Sequence, residues 1–134
     1  MLKTQRDSEP TPSIGVARPR VLIADDVPEV LQLLHDALTG HGYEVLTTAS
    51  GVKALEAVPV FRPDVILVDM RMPDLSGIKV LDALRRAGLT VPVILISGHL
   101  PRAREGFFAT IKKPFELDTI VRTVADAVRQ LRLM

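Results

Sequence analysis

The fold is decided by residues 65–69, Val-Ile-Leu-Val-Asp, an uninterrupted apolar run that ends in a carboxylate. Residues 21–26, Val-Leu-Ile-Ala-Asp-Asp, and residues 93–97, Val-Ile-Leu-Ile-Ser, repeat the pattern. Short apolar runs rich in β-branched side chains are typical of strands rather than helices. Because these runs do not alternate with polar residues, we expect parallel strands that are covered by helices on both faces.

Segments with helical spacing separate the apolar runs. Apolar residues recur every three or four positions in four segments, residues 30–38, 52–58, 78–84 and 117–131. Ser50 is expected to cap the second of these helices and Pro59 to end it. Two further strands are predicted at residues 43–47 and 107–111. The alternation of strands and helices predicts a doubly wound α/β fold with right-handed crossovers.

The composition is typical of one globular domain with almost no net charge. The chain has 134 residues, a formal net charge of +1 and no cysteine. Nucleic-acid binding driven by overall charge is therefore not expected, and neither are disulfides. Residues 1–17 show no hydrophobic period and are expected to be a flexible lead-in to a domain at residues 18–134. No apolar run reaches the roughly 18–20 residues that cross a bilayer, so we expect a cytoplasmic protein without membrane association.

Polar side chains stand where the predicted strands end. Asp25 and Asp26 follow the first strand, Asp69 the third, Ser97 the fourth and Lys113 the fifth. In doubly wound sheets, ligands bind beyond the carboxyl ends of the strands. Each residue alone has a plainer interpretation, as a turn former, a helix cap or a solvated lysine. Their joint placement favours a shared site instead.

The chemistry of that set indicates phosphoryl transfer. Three crowded carboxylates repel one another and need a cation or raised pKa values. Oxygen ligands without histidine or cysteine favour Mg²⁺, with Mn²⁺ as a substitute. One carboxylate can attack phosphorus and form an aspartyl phosphate, while a lysine and a hydroxyl bind the other phosphoryl oxygens.

The chain resembles the response-regulator receiver domains of two-component signalling systems over residues 18–134. The motifs that carry the resemblance are residues 21–26, residues 69–77, Asp-Met-Arg-Met-Pro-Asp-Leu-Ser-Gly, and residues 113–115, Lys-Pro-Phe. The resemblance implies a five-stranded parallel sheet in the flavodoxin-like strand order 2-1-3-4-5. It also implies a phosphoprotein of a two-component system or phosphorelay.

The resemblance also assigns roles to single residues. Asp69 would be the phosphoacceptor, and Ser97 and Lys113 would bind the phosphoryl group. The Mg²⁺ ligands would be Asp26 directly, Asp25 largely through water, Asp69, and the backbone carbonyl of Arg71. Lys113 is preferred to the neighbouring Lys112 because it abuts Pro114, and the Lys113–Pro114 peptide bond is expected to be cis. Arg71 and His99 either modulate the lifetime of the phosphoryl group or are plain exposed side chains.

The implied function is phosphoacceptance from a histidine kinase or phosphotransfer protein, followed by phosphorylation-dependent binding of another protein. The donor would dock near Val27, Pro28 and Leu31 and at the loop after Pro114. Such a domain is not a conventional enzyme, but catalyses its own phosphorylation and dephosphorylation. The last helix reaches the end of the sequence, so we expect a stand-alone receiver; a receiver from a hybrid kinase is an alternative. A Mg²⁺-dependent aspartyl-phosphate phosphatase or phosphotransferase for small molecules is a further alternative, although the chain lacks the Asp-x-Asp pattern and a cap-sized insertion.

Two features depart from the family pattern. Only 15 residues separate Ser97 from Lys113, so the fourth helix of the fold, between the fourth and fifth strands, is expected to be short or irregular. Thr110 stands where relatives usually carry the aromatic residue that reports phosphorylation. We therefore expect signalling to depend less on an aromatic switch and more on the loop around Ser97, or on direct phosphoryl transfer.

Overall fold

One parallel sheet forms the centre of the molecule in a computed structural model, which describes residues 18–99 and 105–132. The strands are β1 (Arg20–Ala24), β2 (Glu44–Thr48), β3 (Val65–Asp69), β4 (Val93–Ser97) and β5 (Ala109–Lys112). They lie in the order β2-β1-β3-β4-β5, and every pair of neighbours is parallel. The predicted five-stranded doubly wound sheet is confirmed.

Helices cover both faces of the sheet. Within the described residues they are α1 (Pro28–Gly40), α2 (Gly51–Phe61), α3 (Gly77–Arg86) and α4 (Leu117–Arg132). Val21 and Ile23 of β1 pack with α1 and α4, whereas Leu22 packs with α2 and α3. Successive residues of the strand are thus buried on opposite faces, which explains the uninterrupted apolar run. Full burial of one such side chain contributes about 1.5–3 kcal/mol.

The second helix differs from its prediction in two ways. Ser50 caps it as expected, because its side chain accepts a hydrogen bond from the Lys53 N–H. The helix continues through Pro59 to Phe61, however, so the predicted end at the proline is wrong. A proline in the last turn removes one N–H without preventing the final residues from keeping helical geometry. Its buried face is Gly51, Ala54 and Val58, whereas Val52 is exposed.

The last strand begins later than residue 107. Phe108 donates its N–H to the carbonyl oxygen of Val93, the first residue of β4. The paired register of β4 and β5 starts with Ile94 and Ala109.

Two predictions fall largely outside the described residues. The short or irregular fourth helix would lie between β4 and β5, where residues 100–104 are not described; the flanking residues 98–99 and 105–108 are not helical. The lead-in at residues 1–17 is not described either. Both stay predictions. Among the described helices, none is long and apolar enough to cross a membrane.

Candidate functional site

Three carboxylates meet at the carboxyl ends of β1 and β3. Ala24 pairs with Val68 in the sheet, so Asp25 and Asp26, which follow β1, lie beside Asp69, the last residue of β3. One carboxylate oxygen from each lies within 4.8 Å of the other two. Asp25 and Asp69 are buried, whereas Asp26 is exposed. The structure therefore brings the three predicted carboxylates together in an arrangement that could hold a metal ion.

A lysine side chain bridges the two buried carboxylates. Nζ of Lys113 lies 3.0 Å from Oδ2 of Asp25 and 3.1 Å from Oδ1 of Asp69. Lys112, the alternative considered from the sequence, is exposed. The peptide bond between Lys113 and Pro114 is cis, as expected. The lysine next to the proline is thus the one that reaches the carboxylates.

Burial and crowding shift the pKa values of the two partners. Burial, assisted by the charges of Asp25 and Asp26, raises the pKa of Asp69 above its ordinary 3.8, although the hydrogen bond from Lys113 opposes the shift. Burial alone would lower the pKa of Lys113, but its hydrogen bonds and charge attraction with Asp25 and Asp69 together raise it. Three carboxylates face one ammonium group, so the ionised cluster carries excess negative charge. The excess negative charge on these carboxylate oxygens favours the binding of a divalent cation.

Ser97 ends β4 and is buried, but its hydroxyl is turned to its own loop. The hydroxyl donates a hydrogen bond to the carbonyl oxygen of His99 and accepts one from the His99 N–H at 3.1 Å. The backbone carbonyl of Ser97 accepts the N–H of Lys113 at 2.8 Å, which holds the two residues side by side. The structure places Ser97 at the correct edge, with its hydroxyl bound to His99 rather than to the carboxylates.

The loop between β3 and α3 carries Arg71, whose side chain is exposed. Its base is closed by two backbone hydrogen bonds, from Met70 N–H to the Ile96 carbonyl at 2.8 Å and from Gly77 N–H to the Met70 carbonyl at 3.0 Å. A Cβ on Gly77 would fall 2.8 Å from the carbonyl oxygen of Asp69, so only glycine permits this close return. The loop therefore leaves and rejoins the sheet edge directly at the phosphoacceptor candidate.

Sequence reasoning missed the role of Asp74 in the same loop. Its carboxylate accepts hydrogen bonds from the hydroxyl of Ser50 at 2.5 Å and from the N–H groups of Gly51 and Val52, each at 3.1 Å. These bonds, led by that from Ser50, lower the pKa of Asp74 to about 2. The sequence signals were a serine cap at α2 and an aspartate in the motif after Asp69, but nothing in the sequence joined them.

Two aromatic residues near β5, Phe107 and Phe108, lie close in sequence to Thr110. Thr110 is half-buried and pairs with Leu95 of β4. Phe107 packs with the core cluster beneath α2 and α3, whereas Phe108 packs with the cluster beneath α1 and α4. Both rings belong to the hydrophobic core on opposite faces of the sheet.

The fold and the site together define a class of protein: a doubly wound α/β domain with three carboxylates and a lysine at the carboxyl ends of its central strands. A family model for the response regulator receiver domain matches residues 21–125. The chain belongs to the response regulator receiver domain family.

Individual relatives agree with this assignment. The chain is 38% identical over 116 residues to transcriptional regulatory protein KdpE of Mycobacterium tuberculosis. The aligned region covers 82% of this chain and 51% of KdpE. It is 36% identical over 122 residues to transcriptional regulatory protein PrrA of the same species, covering 87% and 52%. The chain thus spans about half the length of these relatives. A response regulator receiver domain protein from Clostridium thermocellum superposes with a TM-score of 0.79 at 28% identity, covering 86% of this chain and 98% of that one.

Proposed function

We propose that this receiver domain accepts a phosphoryl group on Asp69 and signals through phosphorylation-dependent contact with another protein. The observation that carries the proposal is the meeting of Asp25, Asp26 and Asp69 with the ammonium group of Lys113. A carboxylate oxygen of Asp69 attacks the donor's phosphorus. The bond from phosphorus to the leaving nitrogen or oxygen breaks, and the leaving group keeps the electron pair.

The oxygen ligands fit Mg²⁺, with Mn²⁺ as a substitute. Asp25 already accepts the Val27 N–H at 2.9 Å with one oxygen and the Lys113 ammonium with the other. Its engagement supports a water-mediated role for Asp25, while the exposed Asp26 has room to bind the ion directly. Asp69 and the backbone carbonyl of Arg71 complete the proposed set. When bound, Mg²⁺ neutralises charge on the phosphoryl oxygens.

Lys113 and Ser97 complete the chemistry from the protein side. Lys113 contacts the attacking carboxylate before the reaction, so its cation is in place where negative charge develops. The hydroxyl of Ser97 has to release the carbonyl oxygen of His99 before it can donate to a phosphoryl oxygen. The turn of the hydroxyl removes one hydrogen bond from residues 97–99, so we expect this part of the chain to loosen on phosphorylation and to carry the signal where Thr110 offers no aromatic ring.

The phosphoryl donor is proposed to be a histidine kinase or phosphotransfer protein. Val27 and Pro28 are exposed at the start of α1, next to Asp25 and Asp26, and Leu31 is half-buried one turn further on. An apolar patch beside the phosphoacceptor would let a donor exclude water during transfer. The two relatives named above are transcriptional regulatory proteins, and we propose that this chain likewise passes its signal to a regulatory output.

Intact-mass measurement after incubation with acetyl phosphate and Mg²⁺ tests the proposal. We expect one added phosphoryl group on the wild type and none on Asp69→Asn or after chelation of Mg²⁺. Asp82→Asn is the matched control, because it removes one exposed carboxylate on α3 and should label normally. A label that persists in Asp69→Asn would contradict the assignment of Asp69.

The same experiment separates the receiver from a small-molecule phosphatase or phosphotransferase. A receiver takes up one equivalent and then hydrolyses it slowly, whereas an enzyme turns over a phosphate ester such as p-nitrophenyl phosphate continuously. The family match and the relatives reported above support the receiver and give no support to the enzyme.

A further inference from the structure

The loop that follows Asp69 is fastened to a helix that contributes no residue to the phosphorylation site. Three donors at the N-terminus of α2, the hydroxyl of the N-cap residue Ser50 and the N–H groups of Gly51 and Val52, bind one carboxylate, that of Asp74. We call this set of four residues the Asp74 clamp. Its bonds join positions 22 to 24 residues apart in the chain.

The helix does not depend on the Asp74 clamp for its cap. The first N–H groups of a helix have no partner inside the helix, and a side chain at the N-cap normally satisfies one of them. Ser50 does so, because its oxygen accepts the Lys53 N–H at 3.1 Å. The carboxylate of Asp74 binds donors that are otherwise left to water, and its negative charge lies at the positive end of the helix dipole. The contact therefore fixes the loop at least as much as it supports the helix.

The backbones of the two elements also touch. A Cβ on Gly51 would fall 2.6 Å from the carbonyl oxygen of Leu75 and 2.9 Å from its Cβ. Because a real Cβ never approaches backbone so closely, this packing needs glycine at position 51. The middle of the loop is thus seated on α2 by direct contact as well as by the hydrogen bonds of the Asp74 clamp.

The contact between the loop and α2 matters because Arg71 lies between that contact and Asp69. The loop is closed at its base by bonds of Met70 with Ile96 and Gly77, and Met72 is buried in the core. Arg71 lies between these fixed points and is itself exposed. We expect the direction of its carbonyl to depend on the course of the loop, which the Asp74 clamp fastens to α2 on the far side.

We propose that Asp74 is a positioning residue: by fastening the β3–α3 loop to the N-terminus of α2, it holds the backbone carbonyl of Arg71 in place for the divalent cation. This inference rests on the proposed function, since it needs the Mg²⁺ site. It adds a residue that does not touch the cation, the phosphoryl group or Asp69. Outer partners that orient metal ligands typically change metal affinity about 10–100-fold when they are removed.

The test compares Asp74→Asn with Glu56→Gly in the full chain. Asn accepts hydrogen bonds more weakly than a carboxylate and carries no charge to complement the helix dipole. Glu56→Gly removes the same unit of charge from an exposed site on α2 and lowers helix propensity, but leaves the Asp74 clamp untouched. The Mg²⁺ dissociation constant is measured by calorimetric titration, labelling by acetyl phosphate is measured at saturating Mg²⁺, and thermal unfolding verifies that each variant is folded.

We expect Asp74→Asn to weaken Mg²⁺ binding about tenfold, while labelling at saturating Mg²⁺ stays within about threefold of the wild type. Ser50→Ala, which removes one of the three donors, should give a smaller loss, and Glu56→Gly should bind Mg²⁺ like the wild type. The inference is overturned if Asp74→Asn binds Mg²⁺ as the wild type does, if Glu56→Gly weakens binding equally, or if saturating Mg²⁺ fails to restore labelling.

The outcome is distinct from that of the proposed function. A wild-type chain that binds no Mg²⁺ or accepts no phosphoryl group counts against the proposed function. A wild-type chain that does both, alongside an Asp74→Asn variant with unchanged Mg²⁺ affinity, overturns the positioning role alone.

Discussion

Replacing Asp69 with asparagine should stabilise the metal-free protein, although the substitution removes the proposed phosphoacceptor. The side chain of Asp69 lies within 4.8 Å of two other carboxylates and 3.1 Å from one ammonium group. With an effective dielectric constant of about 20, each repulsion within that separation costs at least about 3.5 kcal/mol and the attraction contributes about 5.4 kcal/mol. Loss of the charge therefore removes at least about 7 kcal/mol of repulsion and about 5.4 kcal/mol of attraction. The net gain in unfolding free energy is at least about 1.5 kcal/mol.

The pH dependence follows from the raised pKa of Asp69. Because the folded protein holds this proton more tightly than the unfolded chain, the wild type gains stability relative to Asp69→Asn as the pH falls through the raised pKa towards 3.8. The advantage of Asp69→Asn is thus greatest at neutral pH and shrinks in acid. Mg²⁺ shrinks it too, because an ion that binds the folded wild type stabilises it in proportion to the logarithm of its concentration.

Urea denaturation at pH 7 in the presence of a chelator measures the difference directly. We expect the urea concentration at the unfolding midpoint to be higher for Asp69→Asn than for the wild type. The thermal unfolding temperature should rise by about 5 °C. Asp82→Asn provides the control, because it removes an equal charge from an exposed ion pair with Arg86 and should change stability by less than about 0.5 kcal/mol. An Asp69→Asn variant that is no more stable than the wild type without metal would refute the account of crowded carboxylates.

Three further predictions follow from other contacts. Lys113→Gln should slow labelling by acetyl phosphate about 100-fold, as expected when one preorganised electrostatic contact is lost, whereas the exposed Lys112→Gln should label within about twofold of the wild type. Gly77→Ala should lower the unfolding free energy in urea by about 1–3 kcal/mol, because the new Cβ would lie 2.8 Å from the Asp69 carbonyl oxygen; an unchanged midpoint would contradict this. Pro59→Ala should raise the unfolding free energy by about 1 kcal/mol, since the residue is exposed inside α2 and proline is the poorest helix former; a lower midpoint in urea would count against it.

Much of the fold and site could be predicted because the signals were local and strong. The apolar run at residues 65–69 predicted a strand that is covered on both faces. In the structure every residue of β3 is buried. The carboxylates at the ends of β1 and β3 could be paired before any coordinates were known, because parallel strands bring their carboxyl ends to one edge. Lys113 could be preferred to Lys112 only through the adjacent proline in a family motif.

The features that sequence could not supply depend on contacts between distant segments. The Asp74 clamp joins a loop to a helix more than twenty residues earlier, and neither partner signals the other. The orientation of the Ser97 hydroxyl depends on the position of the His99 carbonyl, which only the folded loop determines.

Most residues of the site already make the contacts that the proposed reaction needs, whereas the hydroxyl of Ser97 does not. Lys113 already lies between Asp25 and Asp69, and the β3–α3 loop is already seated on α2. The hydroxyl of Ser97, in contrast, donates a hydrogen bond to the backbone carbonyl of His99 rather than to the carboxylates. The proposed phosphorylation of Asp69 would therefore require little change around the carboxylates, and the change that we expect lies at residues 97–99. Because Thr110 carries no aromatic ring, we expect residues 97–99 to be where the proposed phosphorylation most directly alters the surface.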